Sequence, residues 1–323
     1  MNAVLVRNGA ARWCVVAMAM TCWAPAAAAG EPPRTDAPSP TVTGASGLFR
    51  LSTTDIGEAR SLRLALYGEL SRASDFLVFG DTNTKAAGDL AAGLTVHRHI
   101  ELFAALRGAW NRSHQDATPA SSATVSTIGS GTFTVGAKAA AQIWRALAGG
   151  VELGARLPFD PGSWPGSGAA WIDLLATSDL RARWPSLPLR VHGSAGFIAD
   201  GSNNQIDFAG QSAAARQLAM FARGMGRSRI RAAVGLDAPL ARLQPFFEYH
   251  YELVTVGPDP ALSDQTPNFV NQIWLTFGLR ARAGAGVTLI GGVDVSVSSF
   301  GFPYGPPLPP WNAFAGAAWP LPF

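Results

Sequence analysis

The stretch Phe247-Glu248-Tyr249-His250-Tyr251-Glu252-Leu253 decides the fold. Phe247, Tyr249, Tyr251 and Leu253 alternate without a break with Glu248, His250 and Glu252. Only a β-strand puts successive side chains on opposite faces, so this one has an apolar face and a charged face. Downstream the rhythm repeats. Ile273, Leu275, Phe277 and Leu279 oppose Gln272, Thr276, Arg280 and Arg282; then Val287, Leu289, Val293, Val295 and Val297 oppose Thr288, Asp294 and Ser296. Upstream, Ile230, Ala232, Val234 and Leu236 oppose Arg231 and Asp237, and Leu189, Val191, Ala195 and Phe197 oppose Arg190, His192 and Ser194.

The same alternation runs back to residue 61. Leu62, Leu64 and Leu66 face away from Arg63 and Tyr67; Leu90, Leu94 and Val96 away from Asp89 and His97; Leu102, Leu106 and Trp110 away from Glu101, Arg107 and Asn111. Between residues 132 and 179, Phe133, Val135, Ile143, Val151, Leu153, Leu157, Ile172 and Leu174 oppose Lys138, Glu152, Arg156, Asp173 and Asp179. Segments of this length and alternation are what a membrane barrel needs, lipid-facing on one side and polar on the other. A soluble barrel would have to turn these charged rows into its core, which is costly without partners. The reading is therefore an all-β, transmembrane, antiparallel up-and-down β-barrel of about twelve strands, or fourteen if Gly47–Thr54 also pairs. Connections alternate short and long, which puts tight turns in the periplasm and longer loops outside. Gln211–Met225 breaks the pattern with Leu218, Phe221, Ala222 and Met225 at helical spacing, and is expected to form a short helix in an external loop.

The N-terminus reads as an export signal over residues 1–29. Arg7 and Arg12 precede an apolar core from Cys14 to Trp23, and small residues run from Ala24 to Ala29. That core is too short to span a bilayer as a helix. Cys22 raises a lipoprotein alternative, which Thr21 before it fits poorly. Both cysteines lie in this segment, so the mature chain has no disulfide, thiolate metal site or cysteine nucleophile. Of 25 basic and 22 acidic residues, losing Arg7 and Arg12 leaves 23 against 22, and no dense basic run points to nucleic acid. Residues 30–58, rich in Pro, Thr and Ser at their start, are expected to be a flexible periplasmic leader, with the barrel over 59–323.

Four short blocks carry a family resemblance: Gly47–Arg50, Gln217–Arg229, Phe246–His250 and Tyr304–Pro310. In them the chain resembles the N-terminal barrels of OmpA-family proteins. The resemblance implies a barrel in the outer membrane and no enzyme activity. Such proteins often continue into a module that grips peptidoglycan; this chain is expected to stop at Phe323 without one.

Few constellations suggest chemistry. His192-x-Ser194 has the spacing of a barrel-strand hydrolase pair, but its parity points it into the lumen, away from any acyl chain. Glu248, His250 and Glu252 share a face, with no further histidine to complete a metal site. The glycine blocks at 129–131 and 284–286 lack a phosphate-binding context. No catalytic residue, metal or cofactor is expected. The lumen lining is expected to include Arg63, Glu101, Arg107, Lys138, Glu152, Arg156, Arg190, His192, Arg231, Glu248, His250, Glu252, Arg280, Arg282 and Asp294, with Glu69, Asp89, Asp173, Asp179 and Asp237 among further acids. Balanced signs favour mutual pairing over a strongly selective pore. Trp319, Leu321 and Phe323 resemble a C-terminal assembly signal, although Pro320 and Pro322 are expected to weaken the last pairing. Trp144, Trp171 and Trp274 fall on the lumen side by parity, marking bulges or packing inside. Expected partners are outer-membrane lipid, the barrel-assembly machinery and an envelope protein. Two functions stay open: a passive small-solute channel, and a structural or interaction barrel with a plugged lumen.

Overall fold

The computed structural model describes residues 38–74, 81–115, 123–159, 168–201, 227–240, 242–255, 269–283, 286–298 and 308–322. Two short strands, β1 (Ser39–Pro40) and β2 (Ser46–Gly47), precede twelve longer ones. These are β3 (Ser61–Ser74), β4 (Asp81–His97), β5 (Ile100–Gln115), β6 (Ala123–Trp144), β7 (Leu147–Pro158) and β8 (Ala169–Asp179), then β9 (Arg190–Asp200), β10 (Arg229–Asp237), β11 (Leu243–Thr255), β12 (Phe269–Arg282), β13 (Thr288–Ser296) and β14 (Trp311–Pro322). Each of β3 to β14 pairs antiparallel with its sequence neighbours, and β14 returns to β3 to close the barrel. No helix among the described residues is long and apolar enough to cross a membrane. The helix expected at Gln211–Met225 lies outside the described residues; a 3₁₀ turn occupies Leu180–Ala182.

The alternation read in the sequence becomes an inside and an outside. Leu66, Leu174, Ile230 and Phe277 are 55%, 66%, 53% and 47% exposed on the outer wall, with Leu90, Leu102, Val135, Leu153, Phe197 and Leu289 around the same belt. So much contiguous apolar surface is far beyond what a water-exposed monomer carries, and fits hydrocarbon. Strands β10 and β13 have 9 residues each, about the length a bilayer needs, whereas β6 has 22. Because the turns joining β4 to β5 and β6 to β7 are tight, the extra length of β4, β5 and β6 extends towards the long connections.

The inner wall shows a repeated packing device. Tyr67, Phe103, Trp171, Phe246 and Phe314 all point inward. Each stands opposite a glycine on the adjoining strand: Gly316, Gly136, Gly154, Gly278 and Gly292 respectively. A Cβ at Gly136 would come within 2.2 Å of the Phe103 ring, and one at Gly154 within 2.1 Å of Trp171. The missing side chain is what lets each ring lie against the wall instead of crossing the lumen.

Residues 39–56, expected to belong to a flexible leader, are instead enclosed by the barrel. They do not add wall strands either: β2 pairs with β1, Ser39 opposite Gly47, so the barrel has twelve strands rather than fourteen. The turn between them needs Gly44, whose φ is +99° and whose missing Cβ would sit 2.4 Å from the Ala104 carbonyl oxygen on β5. A second tight turn follows, closed by Leu48 N–H to Leu51 O at 2.9 Å and Thr53 N–H to Ser46 O at 3.1 Å. Leu48, Phe49 and Leu51 are buried with Ala65, Tyr67, Ala91, Ala105, Ala233, Phe246, Ile290, Phe314 and Ala318. Those wall residues come from seven strands around the circumference, and only a segment inside the barrel can touch them together.

The expected weak end of β14 is not what forms. Pro320 stays opposite Arg63 and Pro322 opposite Ser61, so the register holds to the last described residue. Phe323 lies outside the described residues.

Candidate functional site

The candidate site is the lumen and the segment inside it. Hydrogen bonds or ion pairs tie residues 38–55 to eight wall strands: β3, β5, β6, β8, β9, β11, β12 and β13. Wall charges grip the backbone itself, Arg63 at the Pro38 carbonyl among them. Glu248 accepts from the successive N–H groups of Phe49, Arg50 and Leu51 at 2.7, 3.1 and 3.3 Å. Consecutive N–H groups aimed at one carboxylate form an anion-holding concavity, here filled by the wall. Lys138 donates to the carbonyls of Ser46, Thr53 and Asp55 at 2.8, 3.0 and 2.8 Å. Glu101 accepts from the Ser46 N–H at 2.6 Å and its hydroxyl at 2.5 Å, and pairs with Arg63 and Lys138.

Side chains of the inserted segment complete the set. Arg50 reaches Asp294 at 2.6 Å and Glu69 at 2.7 Å, while Asn312 donates to both carboxylates and Thr276 to Asp294. Phe49 stacks on Phe314 at 3.6 Å between ring centres and meets Tyr67 edge-on at 5.5 Å. Tyr67 donates to the Pro40 carbonyl and Arg280 to the Gly47 carbonyl. Asp55 pairs with Arg190 at 3.2 Å. Burial works against its charge, but Arg190 and then His192 outweigh burial and hold the carboxyl below its ordinary value.

Arg190 also binds Asp237 through two hydrogen bonds, at 3.0 and 2.6 Å. His192 shares a hydrogen bond with the Thr177 hydroxyl at 2.9 Å and with Asp237 at 3.0 Å, so both ring nitrogens are engaged. Hydroxyl, imidazole and carboxylate in line invite a catalytic reading. All three are buried beneath the inserted segment, where Thr54 N–H already occupies Thr177 at 3.3 Å. The arrangement orients charge; it gives no reacting group access to a substrate. Ser194 faces the same side of β9.

Towards the long connections the wall pairs with itself. Arg231 binds Asp173 and lies 5.8 Å from the Trp171 ring, whose N–H donates to Glu152 at 2.9 Å. Arg156 and Arg229 share Asp200 at 3.1 and 3.4 Å, and Arg229 lies 2.8 Å from Glu252. Arg107 bridges Glu69 and Asp89 at 2.6 and 2.8 Å. His250 donates to Glu248 at 2.8 Å and stacks on Trp274 at 4.9 Å.

Of the anticipated lining residues, Arg63, Glu101, Lys138, Glu152, Arg190, His192, Glu248, His250, Arg280 and Asp294 are buried inside. Arg107, Arg156, Arg231 and Glu252 line the more open part, half-buried. Arg282 differs: it sits exposed at the short-turn rim. Of the three parity-breaking tryptophans, Trp171 and Trp274 pack inside, while Trp144, 75% exposed, stands at a register shift that turns it outward. Trp319 and Leu321 lie on the outer side of β14. No cluster of three or more His, Cys, Asp or Glu suited to a metal occurs among the described residues. Sequence reasoning missed Ser46, Phe49, Arg50 and Asp55, along with Phe103, Phe246 and Phe314, whose inward parity was legible in their own strands.

No protein-family profile and no curated protein matches the chain. Among solved structures it is similar to the COG4313 outer membrane channel from Pseudomonas putida F1, with 9% identity over 83% of this chain and 98% of that one, and a TM-score of 0.57. The translocator domain of the autotransporter NalP from Neisseria meningitidis is less alike, at 13% identity, 81% and 89% coverage and a TM-score of 0.43. The KdgM porin stands at 10% identity, 80% and 98% coverage and a TM-score of 0.42. Identity this low speaks to fold alone, and the fold is a closed twelve-stranded barrel of the outer-membrane type.

Proposed function

We propose that this protein is a passive channel for small solutes in the Gram-negative outer membrane, held closed over its periplasmic half by its own residues 39–56. The observation that carries the reading is a lumen lined by charge whose occupant is a segment outside the wall strands. A barrel built only as a scaffold could fill its interior with wall side chains. Here a separate segment fills it, continuous with the wall only through residues 57–60. Residues 1–29 serve as the export signal, the short turns face the periplasm, and the assembly machinery reads the end of β14. Kinship with OmpA-family barrels rests on the short sequence blocks alone; one of them, Gly47–Arg50, is the tip of the inserted segment. No enzyme activity is part of this reading.

The rival is a permanently plugged barrel whose loops bind an envelope partner. Single-channel recording separates the two. The full mature chain should show rare ohmic openings that scale with salt. A disulfide between Thr54→Cys and Thr177→Cys, whose N–H and hydroxyl already lie 3.3 Å apart, should abolish them until it is reduced. Inserted protein that stays silent in the wild type and in Glu248→Ala alike would favour the plugged reading.

A further inference from the structure

The short-turn rim has a charge pattern that the lumen does not use. Going round the barrel, an exposed arginine stands at each of its six corners: Arg60 before β3, Arg98 between β4 and β5, Arg145 between β6 and β7, Arg183 between β8 and β9, Arg242 between β10 and β11, and Arg282 at the end of β12. The first five make no ion pair among the described residues. The five turns themselves (98–99, 145–146, 180–189, 238–242 and 283–287) hold five arginines and no acid, and the sixth corner (57–60) holds Glu58 beside Arg60. The six long connections (75–80, 116–122, 159–168, 201–228, 256–268 and 297–310) hold six aspartates and three arginines. The two ends of the barrel therefore carry opposite charge by sequence alone.

Position narrows what this ring can meet. It borders directly on the apolar belt: Ile143 and Trp144, beside Arg145, are 62% and 75% exposed, and Leu240 and Leu243, flanking Arg242, are each 47% exposed. Trp184 is 49% exposed with the Arg183 guanidinium 5.0 Å from its ring centre. Exposed tryptophan beside arginine, at the edge of a lipid-facing wall, is the chemistry of the bilayer interface. A soluble acidic partner would find the charges on a ring around the mouth, with hydrocarbon immediately behind them. A leaflet of phospholipid places a phosphate beside every one.

We infer that the rim arginines bind anionic phospholipid headgroups of the periplasmic leaflet, fixing the depth and orientation of the barrel. The inference rests on the membrane reading above, and it assigns that membrane a preference. Guanidinium suits phosphate because its planar fork can donate two parallel hydrogen bonds to one headgroup. The acidic outer end would be repelled by the same lipid, so the barrel tells the two leaflets apart.

The test refolds the full mature chain into vesicles of phosphatidylcholine alone, or of three parts phosphatidylcholine to one part phosphatidylglycerol. Insertion is scored by heat-modifiable gel mobility, and retained lipid by native mass spectrometry. Wild type should keep phosphatidylglycerol over phosphatidylcholine, and each lost arginine should lower that preference roughly fivefold, the usual worth of a basic residue at an anionic surface. Arg98→Gln, Arg145→Gln, Arg183→Gln and Arg242→Gln combined should insert into phosphatidylcholine as well as wild type does, yet lose most of the preference. Arg72→Gln with Arg112→Gln, exposed on the opposite half, should leave it unchanged. Equal retention of both lipids by inserted wild type, or a preference that survives the rim changes, overturns the inference alone. Failure to insert into either vesicle overturns the membrane reading and the inference with it.

Discussion

In the half of the lumen towards the short turns, wall charges pair across the barrel, as Arg190 does with Asp237, and also reach the backbone of the inserted segment: Lys138 to three carbonyls and Glu248 to three N–H groups. In the outer half they reach one another, as in Arg231 with Asp173 and Arg156 with Asp200. The two halves have similar charge and different demands. A wall whose charges pair among themselves asks for no occupant. Glu248 and Lys138 each have a wall partner, His250 and Glu101, and bonding capacity left over that the inserted chain fills; buried polar capacity left unfilled is costly. The periplasmic half is thus built to hold something, and the outer half to stay polar and open to water.

The sharpest break in that contrast is Glu248→Ala. It leaves the buried N–H groups of Phe49 and Leu51 and the part-buried one of Arg50 without an acceptor, each buried one worth about 1–3 kcal/mol, and should weaken the hold on the segment by about 3–5 kcal/mol. Hydrogen exchange of these amides should accelerate by two to three orders of magnitude while the barrel strands keep their protection. Glu248→Gln retains an acceptor and should cost less. Unchanged protection in the alanine variant would mean that the carboxylate is not what holds the segment.

Phe49→Ala asks how much of the hold is apolar. The ring is fully buried and stacked on Phe314, a setting in which truncation of Phe costs about 3 kcal/mol. The polar ties to Lys138, Glu101 and Glu248 remain, so the segment should loosen without leaving. Limited proteolysis at Arg50 should become detectable but stay slower than in Glu248→Ala. A faster cut in Phe49→Ala would reverse the ranking of backbone grip over ring packing.

The outer wall was legible because lipid imposes one rule on every strand, and Leu64, Val234 or Leu275 obeys it regardless of its neighbours. The inner wall was legible only as a set of charges. Which of them would meet each other depends on the stagger of strands far apart in the chain, such as β3 with β13 through Arg50. The inserted segment was misread for a physical reason. Its Pro, Thr and Ser cannot bury a core of their own, and composition reads that as disorder. One signal stood against this: the apolar island Leu48-Phe49 and Leu51 within a polar stretch. The glycines opposite inward rings were also present in sequence, but Gly136 faces Phe103 only once the register between β5 and β6 is known.

The smallest expected effect tests the other half of the comparison. Arg231 is partly exposed, holds Asp173, and makes no hydrogen bond or ion pair with the inserted segment among the described residues. Arg231→Gln should lower barrel stability by about 1–2 kcal/mol, because Asp173 is buried but a glutamine amide can still donate to it. Protection of residues 49–51 should not change. The visible consequence belongs to permeation: Asp173 then faces the outer vestibule without its cation, so the reversal potential measured across a salt gradient should move towards cation selectivity. If Arg231→Gln instead frees the segment, the two halves are coupled through Glu152, the lumen carboxylate that accepts from Trp171 beside that arginine. The outer pairs would then belong to the closing device rather than to the path it closes.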